Sequence, residues 1–487
     1  MRRRLAGRPL MTQLAGGTNA RAADGIVPGT APIPAQAEKI TVIAILGVLV
    51  ILRIMVSAYL GRLGVLAQNN ILFDSDTYAY LKVISNGCCI NRVIHPAFAI
   101  MVNIPVGGFA FVAAYLGISD AGSIRTLAPI ILSPIAASLG GFIWWLAACR
   151  AGFSATARIA GLLFSQFVFS LSVFAILPES YAISGALFSA LLFLCVNAIN
   201  HPETLDLWKI HAQWLALACV MTGVTITNGF ICIAVWMAIR FDPQKPGWIP
   251  LRRILTGGIV AAAILGGTIV VMLTADQLAY PKDSKSLVEK GDEAADRVQK
   301  FMKGSTAERT AALPYTIMWV RRFMEGSAAQ RAVAMPASFM AGIFPPAIEI
   351  IPNNVAKPGQ PYQIGFSFEP GEKALPRIVF GWFSMAALAA VLAWRFSFSP
   401  IIRAITAVLA FNGVLHSFYG AETFLYSQHW SAFLAFAIIL PVSGKATRGT
   451  NALLAGLVIA TGLFSLNAWI HMMDVLNGIF VASAQAH

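Results

Sequence analysis

Charged residues are scarce in this sequence. Asp, Glu, Lys and Arg make up 12% of the 487 residues, whereas hydrophobic residues make up 57%. A soluble globular domain carries about 25% charged residues, so a water-exposed surface of ordinary composition is excluded. The apolar residues are gathered into long runs, which are typical of helices that cross a bilayer. The composition therefore predicts an all-α membrane protein with many spans.

Cysteines and acidic residues are also few. Most of the six cysteines lie in or beside apolar runs, where cysteine behaves as a small hydrophobic residue. Their spacing excludes a disulfide scaffold and shows no CxxC zinc motif. The 22 acids stand against 35 Lys and Arg, a net charge of +13. In a lipid-facing chain this excess is typical of cytoplasmic loops, so no nucleic-acid partner is predicted.

The apolar runs predict about eleven membrane spans. The first, 40–60, is interpreted as a retained signal anchor. The others lie near 126–147, 159–177, 180–199, 212–226, 228–239, 254–275, 378–395, 399–417, 430–443 and 450–470. With these spans, the basic residues between them fall on one side, as the positive-inside bias requires. Among them are Arg150, Arg158, Arg240, Arg395, Arg403, Lys445 and Arg448.

This topology divides the chain into four regions. A disordered cytoplasmic tail, 1–38, precedes a transmembrane core, 39–275. The core includes a first outer loop, 61–125, in which 97–116 is expected to lie at the membrane interface without crossing it. A second outer region, 276–376, holds eleven of the 22 acids, and C-terminal spans occupy 377–487. No internal repeat typical of many secondary transporters is found.

An acidic motif follows the first span. Asp74 and Asp76 stand two residues apart and are followed by Tyr78 and Tyr80. The two carboxylates could act as a general base or bind a divalent cation, Mg²⁺, Mn²⁺ or Ca²⁺, and no other cofactor is predicted. The alternative is an Asp-rich helix N-cap with interfacial tyrosines.

Further polar residues fall on the same outer side. Arg92 and His95 open the apolar stretch that follows the acidic motif, and Glu179 lies at the turn between two spans. Glu179 could serve catalysis or could cap the next helix. The segment 416–430 contains more hydrogen-bonding groups than an interfacial aromatic belt requires. We expect it to line a sugar or phosphate site through His416, Tyr419, Glu422, Gln428 and His429.

The order of these motifs resembles the GT-C superfamily of membrane glycosyltransferases, such as aminoarabinose transferase and the protein O-mannosyltransferases. In that family an Asp-Glu-x-Tyr-Tyr motif follows the first span, and a His-Pro-Pro-Leu motif and an Arg precede the second. Here the matching residues are Asp74/Asp76 with Tyr78/Tyr80, then His95-Pro96-Ala97-Phe98, then Arg125 and, after the span, Arg150. The family's Thr-Lys-Gly turn between two short spans corresponds to 225–230, with Asn228 in place of Lys.

The resemblance implies an inverting glycosyltransferase that uses a polyprenyl-phosphate-linked sugar and a lipid or glycan acceptor. It implies a multi-pass protein of the bacterial inner membrane, in contact with membrane lipids, whose active site faces the periplasm. Asp76 or Asp74 would be the base, with Glu179 also catalytic, and Tyr78 and Tyr80 would bind sugar or acceptor. The donor phosphate and lipid would be bound by Arg92, His95, Asn228, Arg321 and Arg322.

Other interpretations of the same residues stay open. Arg321 and Arg322 could equally be solvated charges on a helix. A polysaccharide polymerase or ligase, a lipid or oligosaccharide transporter and a non-catalytic assembly subunit would also suit a large outer region. A transporter is expected to carry charges along a path through the membrane.

Overall fold

The structure is a computed structural model of the chain. It describes residues 34–67, 72, 77–86, 95–115, 117, 121–204, 207–241, 248–279, 348–352, 362–366, 390, 399–418, 425–444 and 447–485. The first helices are α1 (Gln36–Arg62), α2 (Thr77–Asn86), α3 (Phe98–Tyr115), α4 (Ala121–Arg150), α5 (Ala155–Phe167), α6 (Phe169–Phe174) and α7 (Ser180–Asn200). The later ones are α8 (Trp208–Val224), α9 (Ile226–Arg240), α10 (Trp248–Ala279), α11 (Pro400–Phe418), α12 (Ser431–Ile439) and α13 (Arg448–Gln485).

The apolar runs of the sequence form these helices because a helix satisfies its own backbone hydrogen bonds, which lipid cannot do. Six stretches in the described part are long and apolar enough to cross a membrane. They are Gln36–Arg62, Phe98–Tyr115, Leu127–Arg150, Ser180–Asn200, Leu251–Ala275 and Arg448–Ile479. Shorter apolar helices cover Ile226–Arg240, Pro400–Gly413 and Ser431–Val442. The prediction of a helical, membrane-embedded protein is therefore confirmed.

The structure departs from the sequence-based prediction at 159–177, and it adds detail at 97–116 and within 276–376. The run 159–177 is not one helix, because Val168 has extended backbone angles (φ −52°, ψ 127°) and separates α5 from α6. The stretch 97–116 forms α3, which is itself long enough to span a bilayer. Within 276–376, strands β1 (Ile348–Pro352) and β2 (Tyr362–Phe366) pair antiparallel. The predicted span 378–395 falls, apart from residue 390, outside the described residues.

The core is centred on the crossing of α4 and α7. An added Cβ at Gly140 would lie 3.0 Å from the backbone of Ala186, so the glycine allows the two helices to approach closely. Next to this crossing the Trp144 ring is 1% exposed, and its Nε1 donates to the carbonyl of Ala432 in α12 at 3.1 Å. The result is a packed bundle interior in which α7 is surrounded by other helices.

Hydrogen bonds define two opposite ends of the bundle. At one end, Arg158 forms an ion pair with Glu38, the Arg150 carbonyl accepts from Asn200, and Arg403 donates to the carbonyl of Ala238. We call this the basic end. Helix α7 runs from Ser180 to Asn200, so its first residue lies at the other end, which we call the junction end. Arg150, Arg158, Arg240 and Arg403 therefore lie at or next to this end of the helices, and their location on the cytoplasmic side stays a prediction.

Candidate functional site

The candidate site lies around the first three turns of α7, at the junction end. Glu179 occupies the N-cap position of this helix, and its side chain makes no capping hydrogen bond to the backbone. The carboxylate is instead 1% exposed and accepts a hydrogen bond from the Thr77 hydroxyl at 3.4 Å. A carboxylate at a helix N-terminus is favoured by the helix dipole. Glu179 therefore occupies the position that the cap interpretation predicted and favours α7 through its charge, without a capping hydrogen bond.

A chain of hydrogen bonds links four separate segments beside Glu179. The Tyr80 hydroxyl lies 2.9 Å from His95 Nε2 and 3.0 Å from Ser180 Oγ. His95 Nδ1 lies 2.6 Å from the carbonyl oxygen of Val224, the last residue of α8. Tyr80 also contacts the edge of Phe98, with ring centroids 5.2 Å apart. Helix α2 with Tyr80, the His-Pro segment, the start of α7 and the end of α8 are thus brought to one place.

These contacts determine which nitrogen of His95 carries the proton. A carbonyl can only accept, so Nδ1 donates to Val224 and Nε2 accepts from the Tyr80 hydroxyl. The Tyr80 oxygen then accepts from Ser180. Burial lowers the pKa of His95 to about 4, against the opposing effect of the Val224 hydrogen bond. At neutral pH His95 is uncharged, and its single N–H is already donated.

The turn predicted over 225–230 is present between α8 and α9. Thr225 is extended (φ −152°, ψ 125°) and separates the two helices. Asn228 lies in the first turn of α9, is 0% exposed and donates from Nδ2 to Ser184 Oγ at 3.2 Å. Contact between Asn228 and a lipid phosphate would therefore require α9 to move away from α7. Gly229 is needed because an added Cβ would overlap the Thr222 hydroxyl.

The neighbouring face of α7 receives the segment 425–430. His429 stacks on Phe188 with ring centroids 5.5 Å apart, and it also approaches Tyr181 and Tyr426. The Gln428 amide is 0% exposed and has no hydrogen-bond partner within the described part of the chain. Gln428 also lines a narrow cavity with room for about one water molecule. An added Cβ on Gly185 would lie 3.1 Å from Gln428 Oε1.

The structure unites part of the predicted site. Tyr80, His95, Glu179, Asn228, Gln428 and His429 all lie around the first three turns of α7. Tyr78 is 38% exposed, in contrast to Tyr80. Outside the described residues, or described without their side chains, are Asp74, Asp76, Arg92, Arg321, Arg322, His416, Tyr419 and Glu422. The described ranges contain no group of three His, Cys, Asp or Glu side chains that could hold a metal ion.

Several residues in or near the site were not predicted. Thr77 and Ser180 directly follow Asp76 and Glu179, but no sequence pattern marked their hydroxyl groups as functional. Arg53 is the clearest omission, since a single charge inside an apolar run is an expected functional marker. It is 6% exposed and donates to the neutral groups of Gln166 and Ser138. Arg53 is therefore a buried charge with amide and hydroxyl partners.

No protein-family model, curated protein or solved structure matches this chain. Its functional assignment therefore depends on the geometry above and on the motif order. A buried carboxylate, a neutral histidine and a tyrosine hydroxyl at a helix N-terminus form a polar cluster in an apolar bundle. Such a cluster can orient and deprotonate a hydroxyl-bearing substrate.

Proposed function

We propose that this protein is an inverting glycosyltransferase of the GT-C type. It would transfer a sugar from a polyprenyl-phosphate donor to a cell-envelope acceptor at the outer face of a bacterial inner membrane. The observation that carries the proposal is the meeting of Tyr80, His95 and Glu179 around Ser180. These residues come from separate motifs, and a shared active site is a reason for distant motifs to converge on one helix terminus.

The acidic motif is linked to this cluster through the chain itself. Asp76 directly precedes Thr77, whose hydroxyl donates to Glu179. In the proposed reaction Asp76, or Asp74, removes the proton of an acceptor hydroxyl. The acceptor oxygen then bonds to the anomeric carbon of the donor sugar while the bond from that carbon to the phosphate oxygen breaks. The polyprenyl phosphate leaves with the electron pair, and the single displacement inverts the configuration.

The hydrogen bonds of His95 change its proposed role. Its one N–H is donated to Val224, so it has none to offer a phosphate. We therefore assign His95 as a positioning residue that holds the Tyr80 hydroxyl, and we assign the leaving phosphate to Arg92, Arg321 and Arg322. A guanidinium matches two phosphate oxygens with paired N–H groups and stays charged at all relevant pH values.

The test is a transfer assay on the whole protein in lipid nanodiscs. A panel of polyprenyl-phosphate sugars is offered with lipid and glycan acceptors, and the products are measured by mass spectrometry. Asp74→Asn, Asp76→Asn and Glu179→Gln are each compared with the wild type. We expect at least one of the two Asp variants to lose about 10²- to 10⁴-fold in transfer rate, the usual contribution of a general base. Asp474→Asn, which alters an exposed acid on α13, is the matched control and should retain the wild-type rate.

Two outcomes would contradict the proposal. Wild-type transfer rates in both Asp variants would make the acidic motif structural. Absence of transfer, combined with movement of an intact lipid-linked sugar across the bilayer, would favour a transporter. The buried charge of Arg53 inside a candidate span is the one observation that favours this second candidate.

A further inference from the structure

A groove lies toward the other end of the bundle, between α10 and the α8–α9 pair. The groove has a cavity volume of about 720 Å³ and is open to its surroundings. Most of its wall is apolar, and α10 is largely exposed along this length. The apolar wall is formed by Leu215, Ala218, Ile233, Val260, Ala261 and Ile264.

The polar lining of the groove is concentrated at the basic end. His211 lies in the first turn of α8, Arg240 is the last residue of α9, and Arg253 lies near the start of α10. Trp236 joins this group, with the Arg240 guanidinium 5.0 Å from its ring centroid and the His211 ring 5.7 Å away. Arg253 is exposed and forms no ion pair with any residue that the structure describes.

The dimensions of the groove suggest what fills it. From Arg253 to Ile264, α10 rises about 16 Å at 1.5 Å per residue. The hydrocarbon layer of a whole bilayer is about 30 Å thick, so the groove matches the acyl region of one leaflet. It begins at the basic end and lies away from the Tyr80 and Glu179 cluster, because α8 needs a further turn and a half to reach Val224.

We propose that this groove binds an anionic phospholipid of the leaflet at the basic end, with its phosphate on Arg253 and Arg240 and an acyl chain along α10. The charge of the two guanidinium groups complements a headgroup that carries a net negative charge. Trp236 and His211 adjoin Arg240, and amphipathic rings of this kind are enriched where a membrane meets lipid headgroups. The small side chain of Ala261 leaves room for an acyl chain. The site is independent of the glycosyltransferase reaction.

Two adjacent arginines allow a matched test of the headgroup contact. Arg253 lines the groove, whereas Arg252, the exposed residue before it, does not. The whole protein is stripped of lipid in detergent, titrated with phosphatidylglycerol or phosphatidylcholine, and measured by native mass spectrometry. We expect the wild type and Arg252→Gln to retain phosphatidylglycerol in preference to phosphatidylcholine. Arg253→Gln should weaken phosphatidylglycerol retention about five-fold, the usual effect of one basic group near an anionic surface.

A second variant tests the acyl part of the groove. Ala261→Phe places a ring in the groove while both arginines remain, so retention of either lipid at this site should be lost. Equal effects of Arg252→Gln and Arg253→Gln, or equal retention of both lipids by the wild type, would overturn the headgroup assignment. Displacement of phosphatidylglycerol by polyprenyl phosphate at lower concentration, with the same dependence on Arg253, would instead assign the groove to the isoprenoid lipid.

Discussion

The Tyr80 hydroxyl is the point at which the candidate site can be tested with the smallest change. Tyr80→Phe removes one oxygen, which bonds to both His95 and Ser180. The ring keeps its edge contacts with His95 and Phe98, at centroid distances of 5.6 and 5.2 Å. Tyr80 is 5% exposed, so water cannot easily replace the lost group. The substitution therefore isolates the two hydrogen bonds from the packing.

The expected cost follows from these contacts. Each hydrogen bond contributes about 1 kcal/mol to stability, and an acceptor left buried without a donor costs about 1 to 3 kcal/mol more. Since both hydrogen bonds are lost and His95 Nε2 would lose its donor, we expect Tyr80→Phe to lower the free energy of unfolding by about 3 to 5 kcal/mol. Equilibrium unfolding by sodium dodecyl sulfate in mixed micelles measures this change, and nitrogen NMR of labelled histidine should show a shift at His95 Nε2.

Tyr115→Phe is the matched control, because the Tyr115 side chain is 85% exposed. A substitution on an exposed surface usually changes stability by less than about 0.5 kcal/mol. If Tyr80→Phe were as mild as Tyr115→Phe and left the His95 resonances unchanged, the hydrogen-bond chain between His95 and Ser180 would be refuted. The proposed positioning role of His95 would then have no support.

Three further predictions concern the surrounding structure. Gly229→Ala should lower the free energy of unfolding by about 2 kcal/mol or more, because the added methyl group overpacks the α8–α9 contact. At Gly266 an added Cβ meets no atom within 4 Å, so Gly266→Ala should leave stability unchanged in the same assay. Burial lowers the pKa of His95 from 6.5 to about 4, so the unfolded chain binds a proton at this ring at higher pH than the folded protein does. The free energy of unfolding should therefore fall as the pH drops from 6.5 to 4. An NMR titration should find the His95 ring neutral at pH 5. Glu38→Gln should lower the free energy of unfolding by about 3 kcal/mol, because the Arg158 guanidinium, 4% exposed, would lose its carboxylate partner. A change in melting temperature no larger than that caused by a Glu→Gln substitution on the exposed surface would contradict this prediction.

The helices and the ends of the bundle follow largely from local sequence. Apolar runs long enough to span lipid became α1, α4, α7, α10 and α13, and the polar turn at Thr225 separates α8 from α9 as expected. The break at Val168 did not follow from hydropathy, because apolar residues continue on both sides of it. In the structure Ser172 Oγ donates to the Phe169 carbonyl at 2.7 Å, a local side-chain bond of the kind that competes with regular helix.

The site was only partly predictable because its contacts join residues far apart in the chain. Glu179, Tyr80 and His95 were selected individually from their chemistry and motif order. That Ser180 would join them, or that Asn228 would be buried against Ser184, depends on how α7 packs with α2 and α9. Hydropathy shows which residues enter the bundle but gives no information on which helix faces meet.

The partners of Arg53 have a consequence for how the protein is made. Its guanidinium donates to Gln166, which lies 113 residues later in the chain. At a synthesis rate of about 5 to 20 residues per second, roughly 6 to 23 s pass between the two residues leaving the ribosome. An arginine at the centre of a lone span costs about 2.5 to 3.5 kcal/mol on insertion scales. Helix α1 therefore enters the membrane before Arg53 can bond to Ser138 and Gln166. Until α4 and α5 have been synthesised, the translocon must hold this helix or the Arg53 side chain must extend toward the lipid headgroups.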